Sequence, residues 1–285
     1  NKFSAFVGGQ DTALEDISRP IARSYLHTYR QGDKPASEAT IGRYSSQLGA
    51  VFNFARKEDQ DGTIKNPFEG LRDMGLERET ANDRRCFNPL ELAAYEKALV
   101  DKLTAGRSPI GLIGLIMLFS GCATSEAAGL EVADIRLDCE VPHIRFGPNS
   151  HRRLDKGRLE RSVPIAATLL NHLKAHNLSN NGEAGAFGKY SEASSYSNVS
   201  TQLNNVIRDK LEVSDPSLVS YSTRHTFKDR GRAARISPEI VDYLQGHVTK
   251  SSSAIAQRYG TGVPPSVYLE DLTKILGTTT WGDSG

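Results

Sequence analysis

Three cysteines, two methionines and one tryptophan are all that 285 residues contain of those types. Cys86, Cys122 and Cys139 are odd in number and form no Cys-x-x-Cys pair, which counts against a disulfide scaffold and a zinc site; a reducing, cytoplasmic setting fits better. Long apolar runs are missing too. Ile110 to Phe119, the longest, is about ten residues against the roughly 20 that a spanning helix needs, so no membrane partner is expected. No basic-then-apolar signal opens the chain, and its start at Asn1 rather than Met makes a removed or omitted upstream piece the expectation. Charge of one sign is also lacking: 35 basic against 34 acidic residues leave a net +1. Such a balance neither points to nor excludes nucleic acid, because local patches matter more than the total.

What is present suits a folded chain. Hydrophobic residues make up 38% and charged residues 24%, enough for a core and too apolar for wholesale disorder. The length fits one large domain or two modest ones, and there is no internal repeat. Residues 1–14 read as a loose leading segment. A helix is expected from about Ser18, with Pro20 in its first turn and Ile21, Tyr25, Leu26 and Tyr29 inward. Ser37 is placed to cap a longer helix whose inward positions are Ile41, Tyr44, Leu48, Val51, Phe52 and Ala55.

The charge-dense, aperiodic stretch that follows reads as an interdomain linker, giving a helical domain at 1–75, a linker at 76–86 and a larger domain at 87–285. Asn88, Pro89 and Glu91 form a strong helix start. Ser108-Pro109 opens a helix that is apolar on nearly every side and so belongs in the middle of a domain; it ends near Gly121. His143–Phe146 and Ser162–Ile165 read as strands around a basic turn. Helices are expected after Ile165 and around Val199–Leu211, with a Gly/Ser-rich loop at 182–197 between them. The fold class is thus mainly α with a small antiparallel β-sheet.

Tyr221 to Tyr259 is the densest stretch of chemistry. Arg224, His225, His247 and Tyr259 supply a guanidinium, imidazoles and a phenol, a set that suits a phosphate: donors for its non-bridging oxygens and one oxygen nucleophile. Taken singly, each has an ordinary reading. Arg224 suits an ion pair with Glu126, His225 a structural helix position, His247 a satisfied loop histidine, Lys156 a solvated turn lysine and Tyr259 an exposed helix-end tyrosine.

Four segments together narrow the choice: the NPF-type close of the N-terminal unit, LFSGCATSEAAGLEVADI, KGRLERSVPI, and TRHTFKDR followed by LQGH and RYG. In this order they resemble the tyrosine recombinases, in particular the phage integrase-like branch, over nearly the whole chain. The resemblance implies a helical core-binding domain followed by the recombinase catalytic-type domain. It further implies site-specific DNA recombination or integration through a 3′-phosphotyrosyl link, with no metal or cofactor, and double-stranded DNA as partner rather than a small molecule. Self-association on DNA is part of the same expectation. Carried over by position, Tyr259 is the nucleophile, Arg224 one of two phosphate-clamping arginines, His247 and Tyr221 hydrogen-bonding residues, and Lys156 the hairpin lysine that protonates the leaving 5′ oxygen. Tyr221 stands where a histidine is usual, and a phenol also donates.

One departure is heavy. The other clamping arginine belongs two residues after Gly121, and the residue there is Ala123. Either the lineage lost its chemistry or the arginine was removed on purpose; the intact remainder favours removal. Losing one such donor typically costs around 10²–10³ in rate, so weak or absent cleavage with retained DNA binding is expected. The alternative is a regulator or accessory factor that keeps the fold without the chemistry. For DNA contact the candidates are Arg43, Arg56 and Lys57 in the N-terminal unit, which also read simply as a solvated helix face, and Arg152, Arg153 and Arg158 in the basic turn.

Overall fold

The computed structural model describes residues 2–9, 11–31, 35–71, 84–105, 108–154, 158–176, 185–247 and 264–277. The chain divides into two compact units, Asn1–Asn82 and Asp83–Gly285.

In the first unit α1 is Lys2–Phe6, α2 Arg19–Thr28 and α3 Glu38–Glu58. Ser18 and Ser37 are the residues before α2 and α3, and the Ser37 Oγ accepts from the Thr40 N–H at 3.3 Å. Ala22, Tyr25 and Leu26 of α2 face Ile41 and Phe52 of α3 in a core closed by Phe68 and Leu71. The leading segment is not loose: Phe3 of α1 is buried, edge-on to Tyr25 at 4.8 Å and Phe68 at 5.4 Å. Val51, expected inward, is 56% exposed; Ser45 and Gly49 lie on the buried face instead. The NPF segment is fastened to α3, because Asn66 Nδ2 donates to the Gly49 carbonyl at 3.1 Å while its Oδ1 accepts the Phe68 N–H at 2.9 Å.

The second unit begins within the stretch expected as linker. Arg85 pairs with Glu91 at 2.7 Å and Asp215 at 2.5 Å, and Phe87 stacks on Tyr95 with ring centroids 5.0 Å apart. Helix α4 (Pro89–Thr104) starts with a reciprocal capping box between Asn88 and Glu91, both bonds 2.9 Å. Helix α5 (Pro109–Ser120) is buried on every side from Ile110 to Ser120, as its lack of a polar face requires. It packs against α4 and, with α6 (Thr124–Ala128), α7 (Ala167–Ala175), α8 (Tyr196–Leu211) and α9 (Ser222–Ala233), makes the centre of the unit.

A three-stranded antiparallel sheet covers one side, in the order β1 (Ile135–Arg136), β2 (His143–Phe146), β3 (Arg161–Pro164). Ile144 pairs with Ile135 on one side and Val163 on the other. Strand β1 is two residues long and visible only through its partner. Residues from Gly185 onward are packed rather than loop-like: the Ala186 N–H donates to the Leu130 carbonyl at 2.8 Å and Phe187 is buried. Helix α10 (Pro238–Gln245) follows α9, and α11 (Leu269–Leu276) docks on α9. No helix among the described residues is long and apolar enough to cross a membrane.

Candidate active site

The site is organised around Glu126, a carboxylate the fold buries at 3% exposure. Helix α5 must stop and reverse before α6 begins, and Gly121 does this at φ 65°, a conformation glycine adopts without a Cβ clash. The turn directs the Gly121 carbonyl at α9 and sets Glu126 against the backbone of Ala123, whose N–H donates to Oε2 at 2.8 Å.

Two buried arginines approach this carboxylate. Arg161 of β3 donates from Nη1 to Glu126 Oε1 at 2.7 Å and from Nη2 to Oε2 at 3.3 Å; its Nε donates to the Leu244 carbonyl at 2.7 Å. Arg224 of α9 stands 3.9 Å from Glu126 Oε2 and donates from Nη1 to the Gly121 carbonyl at 2.7 Å. Burial opposes the charge on Glu126. The charge and hydrogen bonds of Arg161, the Ala123 N–H and the Arg224 charge outweigh it and hold the carboxyl at about 2.

Arg224 differs from Arg161 in what it leaves over. Its Nε and Nη2 are buried and have no hydrogen-bond partner among the described residues. Most buried polar groups are paired, and a charged one left short carries a desolvation penalty. Burial, and next the charge of nearby Arg158, push the Arg224 guanidinium down to about 10, so it remains charged at neutral pH. A cation held in a buried position with donors unfilled is suited to an anion.

His247 follows the left-handed Gly246, φ 73°, at the end of α10. Its backbone bridges Arg158, the Leu159 N–H donates to the Gly246 carbonyl at 3.1 Å, and Gln245 Nε2 donates to the Arg224 carbonyl at 2.6 Å. These bonds bring the hairpin, α9 and the end of α10 together. Burial, then the charges of Arg224 and Arg158, depress the His247 imidazole to about 4. Tyr221 starts α9 half-buried, with the Arg84 guanidinium 4.7 Å over its ring and His225 edge-on at 5.7 Å. His225 itself is exposed.

The structure thus brings Arg224, His247, Arg158 and the Ala123 turn into one region of the second unit. Lys156 and Tyr259 lie outside the described residues. Arg152 is a correction: it was expected at DNA and is 4% exposed, with Nε donating to the Gly147 carbonyl at 3.0 Å and Nη1 donating to the Glu126 carbonyl. Its donors are taken up holding the hairpin's return to α6. Arg153 next to it is exposed. In the first unit Arg43 and Lys57 are exposed on one outward stripe of α3 with Gln47, Ala50 and Phe54; Arg56 is also exposed but lies 3.7 Å from Glu69. What sequence reasoning missed was Arg161 as Glu126's main partner. The alternation of β3, which places Arg161 on the same face as Val163, carried that signal.

No protein-family model and no curated protein matches the chain. Solved structures do match. The XerH site-specific recombinase bound to palindromic difH substrate, a post-cleavage complex, aligns with TM-score 0.61 at 19% identity, over 91% of this chain and 74% of that one. The Tn1549 transposon integrase with circular intermediate DNA aligns at 0.58 and 17%, over 91% and 86%. A lambda integrase dimer bound to a COC′ core site aligns at 0.59 and 17%, over 88% and 82%. At such identities the likeness defines architecture: this chain has the tyrosine recombinase fold.

Proposed function

We propose that this protein is a site-specific recombinase or integrase that cleaves and rejoins double-stranded DNA through Tyr259. The observation that supports this best is Arg224: a guanidinium buried at 3% exposure with two atoms unpartnered among the described residues, on a fold shared with enzymes solved on their DNA. Its geometry suits a phosphodiester, whose equatorial oxygens gain charge as the phosphorus becomes pentacoordinate.

In this reading the Tyr259 oxygen attacks the scissile phosphorus. The bond from phosphorus to the 5′ oxygen breaks, and the DNA 3′ end is left on the tyrosine. The phenolic proton leaves to a neighbouring base, and Lys156 gives a proton to the departing 5′ oxygen. Attack by that 5′ hydroxyl or one from a second duplex reverses the step. His247, held near pKa 4 and therefore neutral, is a hydrogen-bonding partner for the phosphate rather than a second cation. Tyr221 is assigned the same kind of role. Arg43 and Lys57 on α3, with Arg56 and the exposed Arg153, supply phosphate contacts, and the protein self-associates on its site. A relative in fold solved as a dimer on a core site supports the last point.

A second reading, a DNA-binding regulator without strand cleavage, is favoured by Ala123, which has no side-chain donor for the phosphate. One experiment separates the two. The full chain is incubated with a pool of nicked duplexes randomised across the core, and covalent protein–DNA adducts are recovered. Adducts formed by the parent or by Ala123→Arg, and lost in Tyr259→Phe, support the recombinase. Sequence-selective binding without an adduct from either form supports the regulator.

A further inference from the structure

The absent arginine at 123 poses the question of what completes the phosphate clamp, and the surroundings of Arg224 contain one candidate. Arg158 sits at the start of the chain segment leading into β3. Its backbone bridges that of His247, and the next residue's N–H is bonded to the Gly246 carbonyl at 3.1 Å. Gln245, one residue before Gly246, is bonded to the Arg224 carbonyl at 2.6 Å. Arg158 is therefore held beside the two described residues that the phosphate reading uses most.

Its side chain repeats the peculiarity of Arg224. Arg158 Nη1 is buried and has no hydrogen-bond partner among the described residues, as is true of Arg224 Nε and Nη2. Of the other arginines of the hairpin, Arg153 is exposed, and the buried or half-buried three are occupied. Arg145 pairs with Glu160 at 2.6 Å and Asp134 at 3.3 Å, Arg152 donates to carbonyls, and Arg161 is bonded to Glu126. No ion pair of Arg158 with a carboxylate is found among the described residues. Its charge acts instead on Arg224 and His247, lowering both. Two like charges brought together with donors left empty is an arrangement that an anion between them stabilises.

We infer that Arg158 and Arg224 grip the same DNA phosphate, Arg158 taking the office that the family resemblance assigns to an arginine at position 123. This rests on the recombinase reading above and deepens it. The clamp is complete in this chain, with its second guanidinium supplied by the hairpin in place of the α5–α6 turn. Ala123 then marks a relocated donor and not a vacant one.

The test has two independent parts. In the first, inorganic phosphate is titrated into the full chain and arginine Nε–H resonances are followed by NMR. Arg158 and Arg224 should shift along one saturation curve. Arg158→Gln should weaken the binding roughly 10- to 100-fold, the effect of losing a charge-assisted hydrogen bond, with Arg158→Lys between that variant and the parent. Unchanged phosphate affinity in Arg158→Gln overturns the inference; if that variant fails to fold, the same criterion is applied to Arg158→Lys.

The second part measures the covalent adduct. The parent should form it, Arg158→Gln should lose around 10²–10³ in rate, and Ala123→Arg combined with Arg158→Gln should recover most of that loss. Ala123→Arg alone should gain less than about tenfold, because the place is already served. Cleavage by Arg158→Gln at the parental rate, or cleavage only after Ala123→Arg, overturns the inference and leaves the recombinase reading standing. An adduct from none of the forms overturns the reading itself, and the phosphate titration then decides whether the paired site exists.

Discussion

Arg161 and Arg224 reach the same buried carboxylate from opposite elements, yet they are in different situations. Arg161, from a strand, has its Nε and both Nη atoms bonded, to Glu126, the Leu244 carbonyl and the Leu159 carbonyl. Arg224, from a helix, makes one bond to the Gly121 carbonyl and leaves two atoms without a partner among the described residues. The first arginine is satisfied by the fold and belongs to its stability. The second is only positioned by the fold, and its remaining capacity is directed to a ligand. Burial alone does not distinguish them, since both are below 4% exposed; the hydrogen-bond inventory does.

The sharpest way to break this comparison is to remove each arginine. Arg161→Gln should cost about 3–5 kcal/mol of unfolding free energy, because it strands Glu126 as a buried, poorly paired charge; urea denaturation measures it. Arg224→Gln should do the reverse in kind. Stability should change by less than about 1 kcal/mol, since a poorly satisfied buried cation is itself costly. Adduct formation should fall by around 10²–10³, roughly 3–4 kcal/mol of barrier. Equal losses of stability in the two variants would erase the distinction.

A smaller effect comes from Gly246. Its φ of 73° disfavours any side chain, and a Cβ there meets the Arg161 guanidinium. Gly246→Ala should therefore cost about 1–2 kcal/mol in the same denaturation assay. It should also lower His247's grip on its position.

The pH dependence separates the two sides again. His247 is depressed from 6.5 to about 4 in the folded state. Between these values the unfolded chain binds the proton and the folded chain does not, so stability falls as pH drops through that window. His247→Gln should flatten this part of a pH–stability curve. Glu126, held at about 2, contributes stability that is complete above its unfolded value and lost only as pH falls toward 2. A bound phosphate should raise the His247 midpoint, and an NMR titration of its ring with and without phosphate reads that directly.

The smallest effect lies in the other unit. Ser37→Ala removes the α3 cap bond and should cost about 1 kcal/mol. It should leave phosphate binding by Arg224 unchanged.

The sequence made much of this legible where one residue suffices to state a local rule. Asn88 with Glu91 announces a capping box, Pro109–Ser120 announces a central helix, and Gly121 and Gly246 announce helix ends. Local rules failed where the deciding partner is far along the chain. Phe3 is buried because Tyr25 and Phe68 come to it, and β1 exists because β2 pairs with it. Arg152 and Arg153 are adjacent and chemically identical; only the placement of the Gly147 and Glu126 carbonyls turns one inward.

The sequence by itself therefore determined the class of architecture, the punctuation of its helices and the residue types that a phosphate site requires, because these follow from spacing and side-chain chemistry. The tertiary structure alone decided which arginines are used up and which have capacity to spare. That depends on the carbonyls and carboxylates within about 3 Å of each guanidinium, and those come from segments as remote as Gly121 from Arg224 and Leu244 from Arg161.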